Sequence, residues 1–246
     1  MLVLIIYNEN KELRVKNIGE LRPSYTARQL AEPLGISHAC PVLYRFMEDE
    51  YIDAFLESGR IQVSTIPHCR KIEDGRRRDP MESVYGYDFE WNDCVTPVNV
   101  LVGENAFVLC CSLTQCAIHD KAHANCLELH DWHKLVAEVG EQLRIKGFPI
   151  GKIFAGPCNY AEKRRSINMR PNNYGEVRIE EVLSAIGQEA LYTTKDFWFA
   201  EEHEYRVMWL SNERVPKDPI IVTVKEPSRY GCKVSAIGRT YEQASE

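Results

Sequence analysis

The chain has 246 residues, 44% of them hydrophobic and 27% charged, with a formal net charge of −6. That composition is ordinary for a globular protein and leaves room for one large domain or two small ones. The acidic balance excludes whole-surface attraction to nucleic acid, so any such binding needs a local basic patch.

In chain order, the apolar run 1–7 predicts a buried strand, and 13–18 alternate back as its hairpin partner across Asn8, Glu9 and Asn10. A short helix is expected near 25–30, followed by the breakers Pro33, Gly35 and Pro41. Residues 42–47 predict a strand. Glu48 and Asp49 then open a helix with Ile52, Phe55 and Leu56 on one face, Gly59 caps it, and 60–66 return as a second strand. Residues 67–98 are polar and turn-rich and predict a loop, whereas 98–102, 106–113 and 126–129 predict strands. Asp131 opens a helix with the stripe Trp132, Leu135, Val136, Val139 and Leu143, stopped by Gly147. A strand is expected at 152–155, a loop over 158–177, a helix through Ile179, Val182, Leu183 and Ile186, and strands at 204–210 and 219–224. Many short strands and few helices predict an α+β fold, a mostly antiparallel split sheet with peripheral helices. No composition shift marks a boundary, so 1–246 is expected as one domain, the hairpin and helix of 1–36 packing on a core of 37–246.

Nothing in the chain approaches the length of a membrane span, and the opening apolar stretch lacks the basic flank of a secretory signal. Nine cysteines without framework spacing then predict free thiols in a reducing cytoplasm, with no disulfide and no membrane partner.

The strand at 204–210 carries the densest chemistry. Its alternation sends Tyr205, Val207 and Trp209 one way and Glu204, Arg206, Met208 and Leu210 the other. Carried backwards, it sets Glu202 on the face of Glu204, about 7 Å away. Such a pair is either the solvated end of an edge strand or a pair of working carboxylates.

Three ordered elements, Tyr44-Arg45, Ser64-Thr65 and Glu202-x-Glu204, resemble the Arg–Ser–Glu arrangement of the ADP-ribosyltransferase superfamily. The opening from Leu43 to Ile61 is also similar to that of DarT-type nucleic-acid-modifying transferases. Leu43-Tyr44-Arg45, Gly59 to Ser64, Asp79-Pro80-Met81-Glu82, Cys111-Ser112 and Glu202 to Arg206 further resemble a large bacterial family associated with phage-defence and toxin–antitoxin operons. The serine strand reads Ser64-Thr65-Ile66 where the superfamily motif has a third-position serine.

The resemblance implies an NAD-dependent transferase, a defence toxin that modifies nucleic acid, RNA ahead of DNA, and is neutralised by an antitoxin-type protein. NAD would be the co-substrate. Glu204 would stabilise the oxocarbenium-like state as the nicotinamide bond breaks, and Glu202 would polarise the acceptor. Arg45 would grip the pyrophosphate, Ser64 and Thr65 would bond the ribose or the glutamate, and Tyr44 and Trp198 would stack. The basic clusters Arg70, Lys71, Arg76, Arg77, Arg78 and Lys163, Arg164, Arg165 would form a rim that holds acceptor phosphates.

Cys116, His119, His123, Cys126, His130 and His133 would share one helix face, but 126–129 reads as a strand, so no metal site is expected. The same histidines offer general bases for a ribonuclease toxin. A catalytically inactive, partner-binding module of the same fold is the reading from outside enzymology.

Overall fold

A computed structural model describes residues 2–7, 13–18, 42–71, 82–91, 94–117, 124–160, 164–168 and 192–238. The helix expected near 25–30, the helix through 179–186, Arg76 to Arg78 and Lys163 lie outside these residues. The chain folds as β1 (Leu2–Tyr7), β2 (Leu13–Ile18), β3 (Leu43–Phe46), α1 (Asp49–Ser58), β4 (Arg60–Thr65), α2 (Ile66–Cys69), β5 (Val84–Trp91), β6 (Cys94–Leu101), β7 (Ala106–Ser112), β8 (Cys116–Ala117) and β9 (Asn125–Leu129). It continues as α3 (Trp132–Ile145), β10 (Ile150–Pro157), β11 (Asn159–Tyr160), β12 (Arg164–Asn168), β13 (Thr194–Lys195), β14 (Glu204–Ser211), β15 (Ile220–Thr223), β16 (Gly231–Ser235) and β17 (Ile237–Gly238). This is an α+β fold whose main sheet is antiparallel, in the order β10-β14-β7-β3-β9-β16, with β4 pairing β7 on one side and β15 on the other.

One face of that sheet is the core. Leu43 on β3, Phe107 and Leu109 on β7, Leu127 and Leu129 on β9, and Tyr205, Val207 and Trp209 on β14 meet Ile52 and Phe55 of α1 and Leu135, Val139 and Leu143 of α3. The apolar stripes read from the sequence thus face the sheet. The indole N–H of Trp209 donates to the Val136 carbonyl at 3.0 Å, so the largest core side chain is also hydrogen-bonded.

Gly59 closes α1 as predicted. It adopts φ +71°, and its N–H donates to the Phe55 carbonyl at 2.7 Å. A Cβ there would stand 2.0 Å from the Val224 carbonyl oxygen. Gly59→Ala therefore combines left-handed strain, about 1–2 kcal/mol, with a backbone clash. It is expected to lower the thermal midpoint by several degrees; an unchanged melt would show that the α1–β4 corner yields freely.

The hairpin β1–β2 forms as expected, with Tyr7 opposite Leu13, and β1 continues a second sheet in the order β12-β5-β6-β1-β2. That sheet corrects two expected loops. The stretch 67–98 contains α2, β5 and most of β6, and 158–177 contains β11 and β12. Residues 84–91 alternate between aromatic and small or acidic positions, a strand signal submerged in the polar average of the longer window. Pro97 sits within β6, but β1 pairs β6 only from Val98 to Leu101, so the missing N–H costs no bond on that side.

Candidate functional site

On β14 the side chains divide as alternation dictates. Tyr205, Val207 and Trp209 enter the core, while Glu204 and Arg206 project to the opposite face, 4% and 2% exposed. Charges so deeply buried persist only when paired. Arg206 donates Nη1 and Nη2 to the two carboxylate oxygens of Glu82, at 2.7 and 3.1 Å, and Nε to Glu204 at 2.8 Å. Lys195, on β13, donates Nζ to Glu204 at 2.9 Å and also to Glu202. The result is one alternating chain, Glu82–Arg206–Glu204–Lys195–Glu202. Its three carboxylates and two cations leave one net negative charge. Glu202 is the outermost member, its side chain 21% exposed against 8% for Lys195 and 5% for Glu204.

The surrounding chain holds this arrangement at some cost. The Tyr160 hydroxyl accepts the Glu204 N–H at 2.7 Å, and the Tyr85 hydroxyl donates to the Thr194 carbonyl at 2.9 Å. Arg70 donates Nε to the Glu82 carbonyl at 2.8 Å and bonds the Val102 carbonyl and the Glu104 carboxylate. It is therefore a positioning residue for Glu82 and no part of a phosphate-binding rim. Among the described residues, only two that are not glycine have positive φ, Ser83 at 54° and His203 at 44°. The first follows Glu82; the second separates Glu202 from Glu204. Such strain costs of order 1–3 kcal/mol per residue and persists where the surroundings enforce it, characteristically at functional sites. Regular strand alternation does not extend to Glu202, which ends a 3-10 turn, Phe197–Glu202. The left-handed turn at His203 brings its carboxylate back onto the ammonium that Glu204 also holds.

Burial would push the Glu204 and Glu82 carboxyls up. The Arg206 guanidinium, joined at Glu204 by Lys195, overrides it and holds both below the usual carboxylate range. Burial would also pull the Lys195 ammonium down, but Glu204 and Glu202 hold it above the usual lysine range. The sign for stability follows. A depressed carboxyl stabilises the fold fully above its unfolded pKa, about 4.3 for Glu, and that contribution is lost as pH falls through the folded value. Lys195 contributes below its unfolded pKa, about 10.4, and loses that only above it. The urea midpoint is thus expected to hold near neutrality and to fall steadily below about pH 4.3. A flat midpoint down to about pH 3 would mean that the chain adds nothing net to stability.

Three thiols surround the cluster. Burial pushes Cys69 up to about 12 and raises Cys110 and Cys158 as well, so all three are protonated at neutral pH and are not nucleophiles. Cys110 donates to Glu204 and still has exposed surface.

The residues expected to form a site are only partly brought together. Glu202 and Glu204 meet at Lys195. Tyr44 shares their face: it pairs with Ser112, which pairs with Glu204, and the Ser112 hydroxyl donates to the Glu202 carbonyl at 3.0 Å. Arg45 does not join them. It lies opposite Leu127 on the core face, donates Nη2 to the Gln62 carbonyl at 2.8 Å, and leaves Nη1 buried with no hydrogen-bond partner among the described residues. The sheet stands between Arg45 and Glu204, because neighbours along a strand point to opposite faces. Ser64 is on the face of Glu204, but it pairs with Val108, four residues along β7 from Ser112, or about 13 Å. Thr65 is the N-cap of α2, accepting the His68 N–H at 3.2 Å. Arg164 and Arg165 lie on β12, paired with Gly86 and Tyr87 of β5, and Trp198 lies in the 3-10 turn. Arg76, Arg77 and Arg78 fall outside the described residues.

Lys195 was invisible to sequence reasoning, since an isolated lysine carries no motif. Glu82 and Arg206 were visible only as members of the motifs that carry the resemblance. Those motifs do converge: Glu82, Ser112, Glu202, Glu204 and Arg206 are all in or against this cluster. Comparison with known protein families, curated proteins and solved structures finds no match to this chain.

Proposed function

We propose that this protein is an NAD-dependent ADP-ribosyltransferase whose working carboxylate is Glu202. The observation that carries the reading is the geometry of the buried chain of charges, which fixes a carboxylate, through Lys195, at its most exposed end. Cleavage of the nicotinamide–ribose bond develops positive charge on the ribose, and a fixed carboxylate at that point stabilises the transition state more than the ground state. Glu204 has both oxygens occupied by Lys195 and Arg206. It therefore acts as the support that fixes Lys195 and, through it, Glu202. This reverses the emphasis implied by the resemblance, in which Glu204 meets the ribose. Tyr44 and Phe199 offer aromatic faces nearby; Phe199 stacks under Lys195, 4.6 Å from Nζ to ring centroid. Arg45, across the sheet, has no part in this proposal. A nucleic-acid acceptor, RNA ahead of DNA, and a neutralising partner protein belong to the same proposal and rest on the resemblance.

A second reading has its own support. Every charge in the chain is paired within the protein, as expected of a structural strut in an inactive, partner-binding module. One assay separates the two: incubation of the protein with NAD and measurement of released nicotinamide, with Glu202→Gln alongside. Release that depends on Glu202 supports the enzyme; none from the wild type, with or without candidate RNA, supports the module.

A further inference from the structure

A second group of chemically active side chains lies at the other end of the large sheet, away from the charge cluster. Strands β9 and β16 pair antiparallel with Cys232 directly opposite Glu128. Directly opposed residues project to the same face. His130 follows β9 and is fixed by its N–H, which donates to the Tyr230 carbonyl at 2.9 Å. One carboxylate oxygen, one imidazole nitrogen and one thiol sulfur therefore lie within 4.8 Å of one another.

The separations within this group are informative. His130 Nε2 is 3.4 Å from Glu128 Oε1 and 3.5 Å from Cys232 Sγ. The first is too long for a good N–H···O bond, which peaks at about 2.9–3.0 Å. Around a tetrahedral zinc ion, with Zn–S about 2.3 Å and Zn–N and Zn–O about 2.0–2.1 Å, the N···S and N···O edges come to about 3.5 and 3.4 Å. The two edges from His130 already stand at ligand separation, and the third, from Glu128 to Cys232, lies within 4.8 Å. Glu128 has an outer partner as well, a hydrogen bond to the Tyr44 hydroxyl from the next strand, the kind of contact that fixes a ligating carboxylate. His130 and Cys232 are exposed, which leaves a path for the ion and room for a water at the fourth position.

We propose that Glu128, His130 and Cys232 bind a zinc-type divalent cation, completed by water, which fastens β9 to β16. One sulfur, one nitrogen and one oxygen donor favour zinc over magnesium or calcium, which take oxygen ligands. Of the six Cys and His residues that line up in the sequence, His130 is the one that takes part among the described residues. Cys126 is fully buried and His133 pairs with Asp131. His119 and His123 lie outside the described residues.

The test uses the full chain, stripped with chelator under a non-coordinating reductant and then titrated with zinc, and with cobalt as a spectroscopic probe. The expected result is one equivalent bound per chain, a thiolate-to-cobalt charge-transfer band, and a higher thermal midpoint with metal. Cys232→Ser should abolish the band. Cys232→Ser and His130→Ala should each weaken zinc binding by more than about a hundredfold, and Tyr44→Phe by about tenfold, as loss of an outer-shell partner does. In the wild type, zinc should also protect Cys232 from alkylation followed by mass spectrometry and leave the labelling of the other cysteines unchanged; this readout needs no variant to fold. No binding at about tenfold molar excess of zinc, undiminished binding by Cys232→Ser, or protection of other cysteines with Cys232 still reactive would each overturn the proposal.

Discussion

Arg206→Met is expected to destabilise the protein by about 3–5 kcal/mol, a large share of the roughly 5–15 kcal/mol that holds a domain folded. The methionine fills most of the space but strands two carboxylates. Glu82 would lose both of its bonds from Arg206, and Glu204 would keep Lys195 as its one cation, with the Cys110 thiol. An uncompensated buried charge is the costly outcome; the loss of the attraction itself is the smaller part. Two controls follow. Acidification should hurt the variant less than the wild type, because protonation relieves the stranded carboxylates. Adding Glu82→Met and Glu204→Met should recover much of the loss, since an apolar replacement of a whole buried ion group is often neutral. Urea denaturation measures all three. A single variant within about 0.5 kcal/mol of wild type would mean that water reaches the cluster freely and that its burial is only nominal.

Glu202→Gln should act in the opposite sense, with little effect on stability and a large one on chemistry. Its carboxylate is the outermost member and is paired through Lys195, so its loss strands no buried charge; Lys195 retains Glu204. If Glu202 faces the developing cation, removing its charge while keeping its shape should lower nicotinamide release about a hundredfold or more, with NAD binding preserved. Glu204→Gln should lose both stability and activity, because its amide would present a donor to either Lys195 or Arg206. Comparing the two variants by urea midpoint and nicotinamide release separates the roles. Full activity in Glu202→Gln with loss confined to Glu204→Gln would return the catalytic role to Glu204. Wild-type behaviour in both would favour the structural strut.

The elements that could be read from the sequence are those whose information is local. The α1 stripe of Ile52 and Phe55 with Gly59 behind it, the α3 stripe from Trp132 to Leu143, and the alternation of β14 each lie within a dozen or so residues, and each forms as its pattern dictates. Composition alone, averaged over 67–98, concealed the alternation in β5. The Glu202–Glu204 pair was legible as a candidate because two glutamates beside a strand of core residues are hard to explain by packing.

What pairing across the sheet decided could not be read in this way. By alternation Arg45 and Glu204 were each on one face or the other of their own strands, but only the register, Tyr44 opposite Ser112 and Ser112 opposite Glu204, puts them on opposite sides. A shift of one residue would have reversed that outcome. Glu82 reaches Arg206 across 124 positions, and Cys232 reaches His130 across 102. Lys195 is an ordinary lysine until two glutamates close on it. The sequence by itself determined the α+β class, the amphipathic faces, the α1 cap and the acidic pair at the head of β14, because periodicity and turn chemistry act over a few residues. The tertiary structure alone decided which charges neutralise each other, which glutamate keeps access to solvent and where a metal ligand set forms, because these depend on strand register and on desolvation, which no local stretch encodes.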